Sequence, residues 1–187
     1  MEYSLSKTIV LVGIMGAGKT AIGTIIADQL GVDFIDSDEE ISRAANMSIP
    51  EIFDRDGEDF FRLKETQIIG RLLESKPHIL STGGGAFMSK ANRQMISDNG
   101  VSVWLDADLE TLWDRVKEKK SRPLLMVQNP KEALKKLYTS RKPQYEKANI
   151  RVKALPNQTK EVMVERVINK LLSNAVSGLL KVEKNAC

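Results

Sequence analysis

Residues 8–20 read Thr-Ile-Val-Leu-Val-Gly-Ile-Met-Gly-Ala-Gly-Lys-Thr, so Gly13, Gly18, Lys19 and Thr20 fill the pattern G-x-x-x-x-G-K-[ST] around Gly16 and Ala17. The flanks give the pattern its meaning. A β-branched run, Thr8–Val12, enters the loop, and a helical pattern, Ala21–Leu30, leaves it. Glycines let the backbone curl so that successive N–H groups face inward at a helix N-terminus, making a nest for anionic oxygens. Lys19 then reaches the β- and γ-phosphates of a nucleotide, and the Thr20 hydroxyl is a ligand for Mg2+. Strand, loop and helix in register point to an α/β chain that binds a nucleoside triphosphate.

Short apolar runs near 8–13, 32–36, 78–82, 101–105 and 150–153 alternate with longer helical patterns, which predicts βαβ units and a parallel sheet. Segment 37–67 has no strand signal and reads as two or three helices, broken at Ser48-Ile-Pro50 and at Asp56-Gly57. Asp108 is placed to cap a helix carrying Leu112 and Val116. Val164, Val167, Ile168, Leu171 and Leu172 have the spacing of a closing amphipathic helix. With no repeat and no linker, residues 1–187 are read as a single domain with two insertions, 37–67 and 117–129. The weakly patterned tail 173–187 is expected to fray.

Bulk properties narrow the class of partner. The 28 basic and 25 acidic residues leave a formal charge of +3, and no run of five like charges occurs, so nucleic acid is not indicated. The one cysteine, Cys187, excludes a disulfide framework and a CxxC metal site. No stretch approaches the ~20 apolar residues of a membrane span. The apolar run 9–17, with Lys7 alone before it, is already accounted for as the strand entering the phosphate loop. A cytoplasmic monomer is expected.

Four further groups carry candidate chemistry. Asp36 and Asp38 follow the second strand, at the sheet end where α/β ligands sit. Carboxylates there hold Mg2+ or orient an attacking hydroxyl, or else Ser37 or Asp38 simply caps the next helix. Arg62, flanked by Phe60 and Phe61, suits a carboxylate or phosphate, or else forms a helix-surface pair with Glu65. Gly83, Gly84 and Gly85 end the third strand, where consecutive glycines imply close backbone approach to a ligand or a neighbouring loop. The loop 117–129 is basic at its front and contains Pro123. It is either a lid that excludes water from the phosphates or a solvated loop. His78, the single histidine, sits at a strand start and is expected to be structural or exposed.

Taken together, the chain resembles the shikimate kinases from about Lys7 to Leu172. The motifs that carry the likeness are residues 13–20, Asp36-x-Asp38, Phe61-Arg62-x-x-Glu65, Gly83-Gly-Gly85, Arg122-Pro-Leu-Leu and Arg141-x-Pro-x-Tyr145. The resemblance implies a three-layer P-loop kinase fold, with a five-stranded parallel sheet, a helical substrate-binding insertion and a lid. It implies MgATP as phosphoryl donor and shikimate as acceptor. Within it Asp38 matches the acid that orients or deprotonates the acceptor hydroxyl, and Asp36 the acid that meets Mg2+ through water beside Thr20. Arg62 and Arg141 match the pair that holds the acceptor carboxylate, with Gly83–Gly85 in the same pocket and Phe53 and Phe61 as its apolar wall. Arg122 matches the lid arginine and Arg115 an arginine against the adenine. No adenine contact is assigned in 155–160, and the tail 176–187 has no counterpart.

Other classes fit less well. A gluconate-type sugar-acid kinase shares the loop but does not predict the Asp-x-Asp, Phe-Arg and triple-glycine combination. A GTPase switch needs an Asn-Lys-x-Asp motif after a strand, whereas Asn169-Lys170 is followed by Leu-Leu. A silent binding module is not expected to keep Lys19, Asp38, Arg62, Arg122 and Arg141 together.

Overall fold

The computed structural model describes residues 2–118, 127–155 and 158–182. The chain opens on a short strand, β1 (Glu2–Leu5), set apart from the main sheet. Five strands then build a parallel sheet: β2 (Thr8–Val12), β3 (Phe34–Asp36), β4 (Ile79–Ser81), β5 (Gly100–Asp106) and β6 (Ile150–Lys153). Their order is β3-β4-β2-β5-β6, with every neighbour parallel. The central strands β2 and β5 are buried along their whole length, as their mainly apolar runs require in a sheet covered on both faces. The order reverses at β2, so the phosphate loop leaves the sheet at its topological switch point.

Helices cover the sheet. α1 (Lys19–Leu30) lays Ile22, Gly23, Ile26, Ala27 and Leu30 on it. Gly23 is needed there because a Cβ would lie 2.6 Å from the Phe34 ring and 2.9 Å from Leu11. In the insertion, α2 (Ser37–Ala45) ends at Asn46 in the left-handed region (φ 50°), so the first expected break is real. α3 (Ile49–Leu73) then starts on a capping box between Ser48 and Glu51, with Pro50 in its first turn. The second expected break is only a kink: Gly57 (φ 82°, ψ 173°) leaves helical geometry and the helix resumes beyond it. α4 (Lys90–Asn99), α5 (Leu109–Val116), α6 (Pro130–Tyr145) and α7 (Lys160–Leu172) complete the layers. Asp108 caps α5 as expected, accepting from the Thr111 N–H at 2.8 Å.

The expectation that 173–187 frays does not hold over 173–182. A 3-10 turn (Ala175–Ser177) leads into β7 (Leu179–Val182), which pairs antiparallel with β1 from Glu2↔Val182 to Leu5↔Leu179. Three contacts lock the turn. The buried Ser177 hydroxyl donates to Leu171 O at 2.7 Å, the Leu179 N–H donates to Ser177 Oγ, and Ser6 N–H donates to Gly178 O. Pattern reading fails here because the partner strand lies at the other end of the chain. Residues 183–187, Cys187 among them, lie outside the described residues.

His78 proves structural. It is 1% exposed at the head of β4, with Nδ1 3.0 Å from Lys76 O and 3.4 Å from the Thr8 and Ser75 hydroxyls.

Candidate active site

The loop between β2 and α1 curls as its glycines predict. Gly18 caps α1 with φ 95°, and Gly16 has φ 83° with room for no side chain, since a Cβ would meet Val116 at 2.7 Å. Lys19 lies back across the loop, its Nζ donating to Gly13 O at 2.8 Å and Ile14 O at 3.3 Å. Arg115 reaches over from α5 and donates to Gly16 O at 3.3 Å and Ala17 O at 3.5 Å. The loop therefore carries two cations beside the N–H groups of a helix start, which is a site for phosphate.

The two acids divide the readings that sequence left open. The cap of α2 is Asp36, not Ser37 or Asp38: its Oδ1 accepts from the Asp38 N–H at 3.0 Å. Its other oxygen, Oδ2, accepts from the Thr20 hydroxyl at 3.2 Å, which ties the strand end to the phosphate loop. Asp38, inside the first turn of α2, turns toward Gly83, where a Cβ would lie 2.7 Å from its Oδ1. That same added carbon would stand 3.2 Å from Glu65 Oε1, and one on Gly85 would stand 2.6–2.8 Å from the Arg62 guanidinium. The triple glycine is thus a bare backbone wall against which Asp38, Glu65 and Arg62 lie.

Arg62 and Glu65 are a pair, but not a surface one. Arg62 Nη1 donates to Glu65 Oε2 at 2.9 Å and Nη2 to Glu58 Oε1 at 3.1 Å, while Glu65 is only 1% exposed. Burial pushes the Glu65 carboxyl above the usual range; Arg62 opposes this and Asp38 adds to it. Burial pulls Arg62 down, yet its two glutamates outweigh that and hold it charged. Arg62 also sits 5.1 Å from the Phe61 ring, which packs on Phe53 at 4.7 Å between centroids. Opposite them, Arg141 Nη1 and the Tyr145 hydroxyl both donate to Gly84 O, at 3.1 and 2.5 Å. Sequence offered Glu65 only as a helix-surface partner of Arg62 and gave Tyr145 no task. Their spacings, i,i+3 from Arg62 and i,i+4 from Arg141, put each on its arginine's helix face and were the available signal.

A cleft of about 770 Å³ opens over the loop, lined by residues 15–22, Asp36, Asp38, Glu39, Ser81–Gly84 and Arg115. Its far wall is Ala154, Gln158, Thr159, Lys160 and Met163, a stretch for which sequence supplied no assignment. Gln158 shapes that wall, its Oε1 accepting from the Leu155 N–H at 2.9 Å and from Arg166 at 3.4 Å. Phe53, Phe61, Arg62, Gly85 and Arg141 do not line this cleft; Arg62 lies against Gly85 and Arg141 against Gly84, next to the Gly83–Gly84 stretch of its wall. Arg122 and residues 119–126 of the expected lid lie outside the described residues. Among the described residues no cluster of three His, Cys, Asp or Glu side chains could hold a metal alone. Thr20 Oγ1 and Asp36, hard oxygen donors brought together at the cleft floor, suit Mg2+ completed by phosphate oxygens and water.

A phosphate loop at the switch point of a parallel sheet, with Asp38, Arg62 and Arg141 gathered on the glycines of its cleft wall, is the arrangement of a P-loop phosphotransferase. Comparison with known proteins narrows the class. The family profile described as shikimate kinase matches residues 15–172. The shikimate kinase of Ruegeria pomeroyi is 58% identical over 165 residues, covering 88% of this chain and 85% of that protein. Among solved structures, the Acinetobacter baumannii shikimate kinase in complex with shikimate superposes with a TM-score of 0.85 at 37% identity, over 91% of this chain and 96% of its own. A gluconokinase from Sinorhizobium meliloti reaches a TM-score of 0.61 at 19% identity, over 90% of this chain and 93% of its own, a likeness of fold alone. The chain belongs to the shikimate kinase family.

Proposed function

We propose that the protein transfers the γ-phosphoryl group of ATP to the 3-hydroxyl of shikimate, giving shikimate 3-phosphate and ADP on the route to chorismate and the aromatic amino acids. One observation carries this reading: the Asp38 carboxylate and the Arg62 guanidinium stand against the Gly83–Gly85 wall, with Arg141 on Gly84 O, directly beside the phosphate loop. Two arginines call for an anionic acceptor, and a carboxylate between them and the phosphates calls for a hydroxyl nucleophile.

Residues 37–67 form the acceptor side of a single domain and 117–129 the lid. Arg62 and Arg141 grip the acceptor carboxylate, with Phe53 and Phe61 lowering the dielectric around the first of them. Asp38 accepts the proton of the acceptor hydroxyl as its oxygen bonds to the γ-phosphorus and the bond to the ADP oxygen breaks. Lys19 swings from the loop carbonyls onto the β- and γ-phosphates, and Arg122 brings a second cation to the transferring group. Gly13, Gly16, Ala17 and Gly18 cradle the phosphates, and Arg115 lies toward the base. Thr20 directly and Asp36 through water would hold Mg2+, which would supply positive charge to the phosphates. A cytoplasmic monomer without nucleic-acid or membrane partners completes the reading. In support, the net charge is only +3, and no helix among the described residues is long and apolar enough to cross a membrane.

Asp38→Asn tests the chemistry. The variant should bind MgADP as the wild type does while turnover falls about a hundredfold or more, the loss expected when a general base is removed. Near-normal turnover would reduce Asp38 to a helix-start residue.

A further inference from the structure

Tyr145 touches no surface of the nucleotide cleft, yet it makes the shortest hydrogen bond of the acceptor wall, 2.5 Å from its hydroxyl to Gly84 O. The residue is 2% exposed and its ring is clamped on two sides. Trp104 of β5 stacks on it at 6.0 Å between centroids and 22°, and Phe87, just past the glycines, at 6.5 Å and 11°. Burial pushes the hydroxyl up to about 12, so it keeps its proton and donates throughout any practical assay range. The Gly84 carbonyl receives one further donor, Arg141, from the same face of α6 one turn earlier. Glycines that lack side chains have little else to fix their peptide planes. Trp104 in turn reaches under the phosphate loop, its Cδ1 lying 3.5 Å from where a Cβ on Gly13 would be.

We infer that Tyr145 is a positioning residue for the acceptor pocket: its hydroxyl fixes the Gly84 peptide, and with it the wall facing Asp38 and Arg62. It also shares the carbonyl with Arg141, so that one guanidinium nitrogen is held in place while the others remain for the acceptor carboxylate. The Trp104 stack sets the ring's depth from the opposite side. This inference rests on the shikimate reading, so the wild-type enzyme must first show shikimate-dependent ADP release. Its absence would refute that reading and this inference with it, whereas the outcomes below, with the wild type active, bear on Tyr145 alone.

Tyr145→Phe keeps both ring stacks and removes only the donor. With the wild type active, the variant should raise the shikimate KM about three- to tenfold, the fold-change of one lost hydrogen bond. The KM for ATP and the kcat should stay at wild-type values. The rise of melting temperature induced by shikimate should shrink while that induced by MgADP persists, a readout that holds even if the variant is somewhat less stable. A shikimate KM within twofold of wild type would overturn the inference. So would parallel increases in both KM values with a lower melting temperature, because the tyrosine would then be packing only. Tyr145→Leu serves as comparison: an effect present in Leu and absent in Phe would assign the role to the ring and also overturn it.

Discussion

At Arg62 one side chain has two charges to satisfy. Its bond to buried Glu65 holds the guanidinium at the glycine wall, and the same guanidinium is the acceptor's counter-ion in the proposed reaction. Arg62→Ala therefore leaves a buried carboxylate without its cation as well as the substrate without its clamp. Steady-state kinetics should show the shikimate KM raised about 30-fold or more, with the KM for ATP within about twofold. A collapse in ATP affinity would contradict the placement of Arg62 outside the nucleotide cleft. Glu65 adds a pH dependence. Its folded carboxyl titrates above the ordinary 4.5, so its contribution to stability is full below 4.5 and is lost as pH rises through the folded value. Glu65→Gln should flatten that alkaline loss in urea midpoints measured across pH, and an unchanged profile would count against burial as the cause. Arg122→Ala, acting at the phosphoryl group, should lower kcat by about a thousandfold with little change in the shikimate KM.

Elements place these residues, and two of them lend themselves to test. β4 is preceded directly by His78, whose imidazole burial pulls below 6.5. The folded protein thus binds fewer protons there than the unfolded chain, so stability is intact above 6.5 and is lost as pH falls through the folded value. Denaturation midpoints at several pH values should fall on the acid side for the wild type and less for His78→Gln. The β1–β7 ribbon ties the chain ends together through Gly178, which has φ 67° and space for a Cβ only 2.4 Å from Ser6 Oγ. Gly178→Ala should cost about 1–3 kcal/mol, seen as a lower melting temperature, with shikimate and ATP kinetics unchanged. Altered kinetics would mean that the ribbon reaches the site. What sequence revealed divides along the same line. The P-loop, the five parallel strands and the closing helix were legible because each is a local pattern of strand period, helix period or glycine spacing. The ribbon was not, since its register pairs residues 2–5 with 179–182 and neither half is distinctive alone. Gly57 misled because a helix can absorb one non-helical residue when both flanks stay packed.

For the molecule as a whole, the site is a junction of distant segments: the loop after β2, the end of β3, the glycines after β4, one face of α3 and one face of α6. Residue identities at the junction, Lys19, Asp38, Arg62 and Arg141, were readable from motifs. That Lys19 and Asp38 line the cleft while Arg62 and Arg141 lie beside its wall was not, because it depends on which glycine each side chain lies against. The wall at 154–163 escaped for the same reason, its polar residues gaining meaning only when the fold sets them in one cleft with Arg115. The whole account converges on one claim, that this junction phosphorylates shikimate and not merely a hydroxyl at large. ADP release from MgATP, measured with shikimate, quinate, gluconate and no acceptor, tests it most directly. Strong stimulation by shikimate alone is the predicted result; equal turnover without acceptor, or stimulation by gluconate only, would contradict it.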